Sequence, residues 1–179
     1  MNTQPTTRRS RLWIRLFTGG VALVAVSLLL GGAFGQNTIR QAQPAPPFVM
    51  KEANGKTIKL TDFKNKAVII CFLTTSDEPS RKQMGMLNDM VGHYGETNLA
   101  VLALAIGQTG PDSLKTYAEQ QHLRYPLHVA DYDLVQTFGG LTSIPLTIVI
   151  DKNQNIIDRF VGVTETNALD ADVRAILKQ

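Results

Sequence analysis

Few side chains in this sequence are equipped for chemistry. Asp77 and Ser80 stand three residues apart at the head of a helical repeat, Cys71 lies six residues before Asp77, and the histidines are His93, His122 and His128. A serine nucleophile needs a base within hydrogen-bond reach. His93 is nearest in sequence, but thirteen residues of helix place it roughly 20 Å from Ser80 along the axis. His122 and His128 approach only by an unusual path, so acyl transfer is set aside. Asp77 reads instead as a helix N-cap, with Pro79 in the first turn, where its missing N–H costs nothing.

Cys71 is the sole cysteine, so no disulfide can form within the chain. Its apolar surroundings suit a buried, inert thiol; a one-cysteine redox or sensing site is the alternative. Met84, Met86 and Met90 offer thioethers of the kind that bind Cu(I). Met84 falls on the core stripe and Met86 with Met90 on a different side, a pattern read as flexible packing. No metal or cofactor site is read from the sequence. Phosphate-cradling glycine loops are missing, and Gly139-Gly140 stands at a helix end, where positive φ is favoured.

These residues need elements to hold them. Residues 67–73 (AVIICFL) form a near-continuous apolar run rich in β-branched side chains, as in a strand buried on both faces. A helix follows, with Met84, Leu87, Val91 and Tyr94 at helical spacing and Gly95 closing it. Beyond it the pattern predicts a strand at 98–106, a helix at 111–122 and a short strand at 127–130. A short helix at 134–138, a strand at 147–150, a turn at 152–155, a strand at 156–160 and a helix at 167–177 complete the chain. Ahead of them, 48–51 and 57–60 flank Asn54-Gly55, a tight-turn pair that makes a hairpin. The alternation predicts an α/β domain: a central mixed sheet, helices on both faces and an added N-terminal hairpin.

The 179 residues suffice for one domain and an extension. The formal charge is +3, yet setting Arg8, Arg9, Arg11 and Arg15 aside from 18 basic residues leaves 14 against 15 acidic ones. That near-neutral body has no basic, aromatic-interleaved stripe, which excludes nucleic acid as a partner. Residues 16–34 carry no charge and as a helix measure roughly 28 Å, enough to span a bilayer core. The preceding arginines keep the start cytoplasmic. The division is a basic N-terminus (1–15), a transmembrane anchor (16–35), a polar, proline-bearing linker (36–47) and an extracytoplasmic domain (48–179). The competing reading is a cleaved signal, with small Ala33 and Gly35 at the cleavage spacing, which would make the protein secreted.

The stretches Ala45-Pro46-Pro47-Phe48, Asn54-Gly55-Lys56, Leu60-Thr61-Asp62-Phe63 and Ser143-Ile144-Pro145-Leu146-Thr147-Ile148-Val149-Ile150-Asp151, with Gly162, follow one another in a familiar order. They resemble TlpA/ResA-type thiol-disulfide oxidoreductases, within the AhpC/TSA-like thioredoxin superfamily. The resemblance implies a thioredoxin-like fold. It also implies a W-C-x-P-C loop at a helix start, where the helix N-terminus lowers the thiol pKa. This chain reads Ser76-Asp77-Glu78-Pro79-Ser80: the proline stays and both cysteines are replaced. Exchange runs through a mixed disulfide, which neither a carboxylate nor a hydroxyl can form. The P-x-x-x-T-x-x-C route to peroxide reduction likewise lacks its cysteine. Cys71 stands where the family commonly carries a buried Asn or Asp.

Ile144-Pro145 matches the loop that in the family holds a cis-proline facing the redox loop, so a cis bond is expected. In relatives the adjacent backbone pairs with an extended polypeptide. The resulting expectation is a single-pass, membrane-tethered periplasmic protein without CxxC activity, needing no cofactor. It would bind a polypeptide or redox protein through Ser76, Asp77, Glu78, Pro79, Ser80, Ile144 and Pro145. The alternative is an oxidoreductase or antioxidant enzyme acting through Cys71 or a partner's thiols.

Overall fold

The computed structural model describes residues 42–51, 56–107 and 110–178. The predicted membrane segment and the Asn54-Gly55 turn lie outside them. Among the described residues no helix is long and apolar enough to cross a membrane.

The apolar run predicted as a central strand is β4 (Ala67–Leu73), every residue of it buried. Before it come β1 (Gln43–Pro44), β2 (Val49–Lys51) and β3 (Thr57–Lys59); after it come α1 (Glu78–Tyr94), β5 (Leu99–Ala105), α2 (Pro111–Gln120), β6 (Leu127–Val129), α3 (Tyr132–Thr137), β7 (Leu146–Ile150), β8 (Asn155–Val161) and α4 (Thr166–Leu177). The main sheet has the order β1-β8-β7-β4-β5-β6. β4, β5 and β6 run parallel, while β7 is antiparallel to β4 and to β8. The expected mixed sheet is present, and the hairpin β2–β3 forms a separate two-stranded sheet.

Alternation along the strands divides the interior in two. On one face Ile69, Cys71, Leu99 and Val101 pack with Leu87 of α1, Leu114 of α2 and Leu169 and Val173 of α4. On the other, Val68, Ile70 and Phe72 meet Met50 and Ile58 of the hairpin and Leu134 of α3. Phe138 ties this second layer together, its ring 6.0 Å from those of Phe48 and Phe72. Residues Arg40–Gln179 form one compact unit holding both cores.

Three expectations need correcting. The stretch 36–47 is not linker to its end, because Gln43 and Pro44 pair with Ile156 and Asn155 of β8. Pro44 is tolerated there because β1 is an edge strand, where a missing ladder donor is harmless. The helix predicted at 111–122 ends at Gln120, and His122 takes a positive φ of 53°. Met86 and Met90 do share a side of α1, one turn apart, but that side is not off the core: Met90 is buried, as Met84 is. Met86 packs partly against the same cluster.

Among the described residues β1 covers only Asn155 and Ile156, and the rest of β8 is an outer edge. On that edge Asp158 Oδ1 accepts the Arg159 N–H at 2.8 Å, and Val161 is 61% exposed. Gly139 and Gly140, with φ of 86° and 76°, stop α3 in the left-handed region as expected.

Candidate functional site

The chain leaves β4 at Leu73 and enters α1 through Thr74, Thr75, Ser76 and Asp77. Asp77 is extended (φ −102°, ψ 154°) and its Oδ1 accepts the Ser80 N–H at 2.6 Å, so it is the N-cap of α1. Pro79 lies in the first turn. Ser80 is buried, and its Oγ accepts the Thr74 N–H at 3.2 Å. The Thr74 and Ser76 hydroxyls meet at 3.0 Å. The Arg81 guanidinium donates to the Ser76 carbonyl at 3.0 Å and to Glu78 Oε2 at 2.9 Å. The loop's polar atoms are thus occupied in fixing its own backbone. Ser76, Glu78 and Pro79 present an exposed surface above it.

Register brings the second predicted segment to the same place. Phe72 of β4 faces Leu146 of β7, so the residues just before β7 lie at the sheet end where β4 gives way to the loop. The Ile144-Pro145 bond is cis. The Pro145 carbonyl accepts the Gly162 N–H at 2.8 Å. Ile144 is half-buried, and among the described residues its backbone makes no hydrogen bond.

Cys71 is on β4 itself, 0% exposed. Its Sγ lies 3.5 Å from Thr147 Oγ1, the residue it faces across β7. Burial pushes its pKa up to about 12, with the Thr147 hydrogen bond opposing. A thiol that stays protonated and sealed from solvent is a poor nucleophile. Nearby, Tyr125 donates its hydroxyl to the Met84 carbonyl at 2.9 Å, and burial raises its pKa as well. Of the histidines, His93 packs edge-on against Tyr94 in the last turn of α1, and His128 is buried on β6.

One polar residue beneath the loop escaped sequence reasoning. Gln83, three residues after Ser80, is 0% exposed. Its Oε1 accepts the Thr164 N–H at 2.8 Å, while its Nε2 and the Thr164 hydroxyl are buried with no partner among the described residues. The available signal was position: Gln83 lies between Ser80 and Leu87 at helical spacing, on the stripe that faces the core.

Comparison with known proteins bears on this geometry. The model of the AhpC/TSA family matches residues 42–159. The thiol-disulfide oxidoreductase ResA of Bacillus cereus (strain ATCC 10987 / NRS 248) is 27% identical over 164 residues, covering 86% of this chain and 94% of that protein. ResA of Bacillus subtilis (strain 168) is 24% identical over 176 residues, covering 96% of each. Among solved structures, a thiol:disulfide interchange protein of the thioredoxin family from Chlorobium tepidum TLS superposes with a TM-score of 0.68 at 26% identity, covering 76% of this chain and 97% of that one.

Proposed function

The chain belongs to the AhpC/TSA family, and from that premise we propose that it is a thioredoxin-fold protein of the ResA type that works by binding rather than by CxxC exchange. In this reading the domain is tethered to the membrane through residues 16–35 and lies on the extracytoplasmic side. The surface formed by Ser76, Asp77, Glu78 and Pro79 with Ile144 receives an extended polypeptide or a redox protein, while Ser80 and Pro145, expected on that surface, are buried and support it from beneath. The observation that carries it is the state of the loop. Asp77 and Ser80 occupy the helix start where exchange thiols are needed, and both are engaged locally: the Asp77 carboxylate caps the helix and the Ser80 hydroxyl accepts the Thr74 N–H. The unbonded Ile144 backbone beside them offers a donor and an acceptor to an incoming strand.

The names of the relatives favour a second reading, thiol-disulfide oxidoreduction through Cys71. Its burial and raised pKa weigh against it. Exchange against a model disulfide separates the two, using wild type, Cys71→Ser and the double variant Asp77→Cys/Ser80→Cys. Silence from wild type with turnover by the double variant supports a binding protein on an intact exchange frame. Wild-type turnover that disappears in Cys71→Ser overturns it. Membrane tethering is read separately, from retention of the full chain in washed membranes and exposure of its domain to external protease.

A further inference from the structure

The sheet end that carries the loop extends well beyond it. The Ile106 N–H donates to the Leu73 carbonyl and the Ala130 N–H to the Ala105 carbonyl, both at 2.8 Å, so β4, β5 and β6 finish side by side. On the other flank Leu146 of β7 faces Phe72 and, beyond it, Val161 of β8. At a strand spacing of about 4.8 Å, the backbone leaving β6 lies three strands, roughly 14 Å, from that entering β7 at Ile144.

Two features concentrate at this end. Among the described residues the exposed large apolar side chains are Val49, Val129, Tyr132 and Val161; all but Val49 belong here, and Tyr132 is 74% exposed. The second feature is charge. In the described loops, caps and first helical turns that meet here the acids are Asp77, Glu78, Asp112, Asp131, Asp133 and Glu165, and the base is Arg81, which pairs with Glu78. The next helical position adds Lys82 and Lys115 and, on α4, Asp170, which Arg174 neutralises. Six acids thus stand against three bases. Asp112, Asp133 and Glu165 are exposed and enter no ion pair among the described residues. Helix starts favour acids one by one, and Asp131 does cap α3 through the Leu134 N–H at 2.6 Å. Capping does not account for an uncovered aromatic ring between two exposed carboxylates. A ring face so flanked attracts a guanidinium or ammonium group.

Resting on the binding reading above, we propose that the polypeptide received at this end is basic. It is an extended segment whose Arg or Lys stacks on Tyr132 between Asp131 and Asp133, while its backbone, about four residues away, pairs with Ile144. The test titrates the fragment Arg40–Gln179, which holds both cores, with blocked peptides of alternating Thr and Val in which the central Thr residues are replaced by Arg, Gln or Glu. Amide shifts of the isotope-labelled fragment are followed at low salt. The Arg peptide should move the Ile144 and Tyr132 amides with one dissociation constant, about tenfold below that of the Gln peptide, with the Glu peptide weakest. Tyr132→Ala, and separately Asp131→Asn/Asp133→Asn, should each weaken the Arg peptide about threefold and leave the Gln peptide unchanged. Asn at the cap position keeps an acceptor for the Leu134 N–H, and unfolding midpoints near wild type establish that the variants fold. Equal binding of Arg and Gln peptides at Ile144, or indifference of the Arg peptide to both variants, overturns the basic partner and leaves the binding reading standing. Shifts at Tyr132 without Ile144, or no saturable shift with any peptide, overturn both.

Discussion

The Cys71 sulfur and the Thr147 hydroxyl oxygen face each other at 3.5 Å across β4 and β7, both on residues with no solvent exposure. A thiol so placed should react with an alkylating reagent only when the domain opens. Modification of the native domain at pH 8 should be slow, follow first-order kinetics and be insensitive to reagent concentration at saturation. Rapid labelling, proportional to reagent, would contradict the buried position.

Burial of that thiol, against the opposing Thr147 hydrogen bond, makes stability fall at alkaline pH. The Cys71 pKa rises from 9.0 to about 12 on folding, so between those values the folded state holds a proton that the unfolded state has lost. The stabilisation is complete below pH 9 and disappears as pH climbs toward 12. Wild type should therefore lose Tm more steeply than Cys71→Ala between pH 9 and 11. Parallel curves in a thermal melt series would refute this.

Asp77 is tested at the helix start. Asp77→Ala removes the cap on Ser80 N–H and should cost about 1 kcal/mol in urea unfolding. Asp77→Asn retains an acceptor and should recover most of the loss.

Gln83 is tested through Thr164. Gln83→Leu preserves an apolar body but strands the buried Thr164 N–H, at a cost of about 1–3 kcal/mol. Faster hydrogen exchange at the Thr164 amide than at amides of β5 would locate the damage.

Phe138→Ala should cost about 3–5 kcal/mol by guanidinium unfolding, because the ring bridges Phe48 beside the hairpin and Phe72 of β4. A loss under about 1 kcal/mol would mean that the second core collapses around the gap.

Most elements were legible because their signals are local. β4 is an unbroken apolar run, and α1 combines a capping carboxylate, a first-turn proline and a buried repeat. β1 was not legible, since two residues have no periodicity and their pairing is decided by β8, more than a hundred positions away. The burial of Met90 was not foreseen because the helical stripe is wider than the single row through Met84, Leu87 and Val91. Within the candidate site, Asp77, Ser80 and the cis bond at Pro145 were anticipated, whereas Gln83, marked only by its position on the core-facing stripe, was not. A glutamine in a helix is ordinarily solvated, and only the approach of Thr164 from beyond β8 encloses it.

The Asp158 carboxylate on the outer edge of β8 bears on how copies of this protein meet. Gly162 N–H turns toward Pro145 of β7, so by the alternation of an antiparallel ladder Arg159 N–H turns outward, where Asp158 already fills it. A neighbouring strand arriving there must evict a carboxylate before it gains its first rung, and it brings a carbonyl dipole against that negative charge on the way. Crowded molecules should slide past one another along this rim instead of zipping into ribbons, a safeguard written in one side chain beside the exposed Val161.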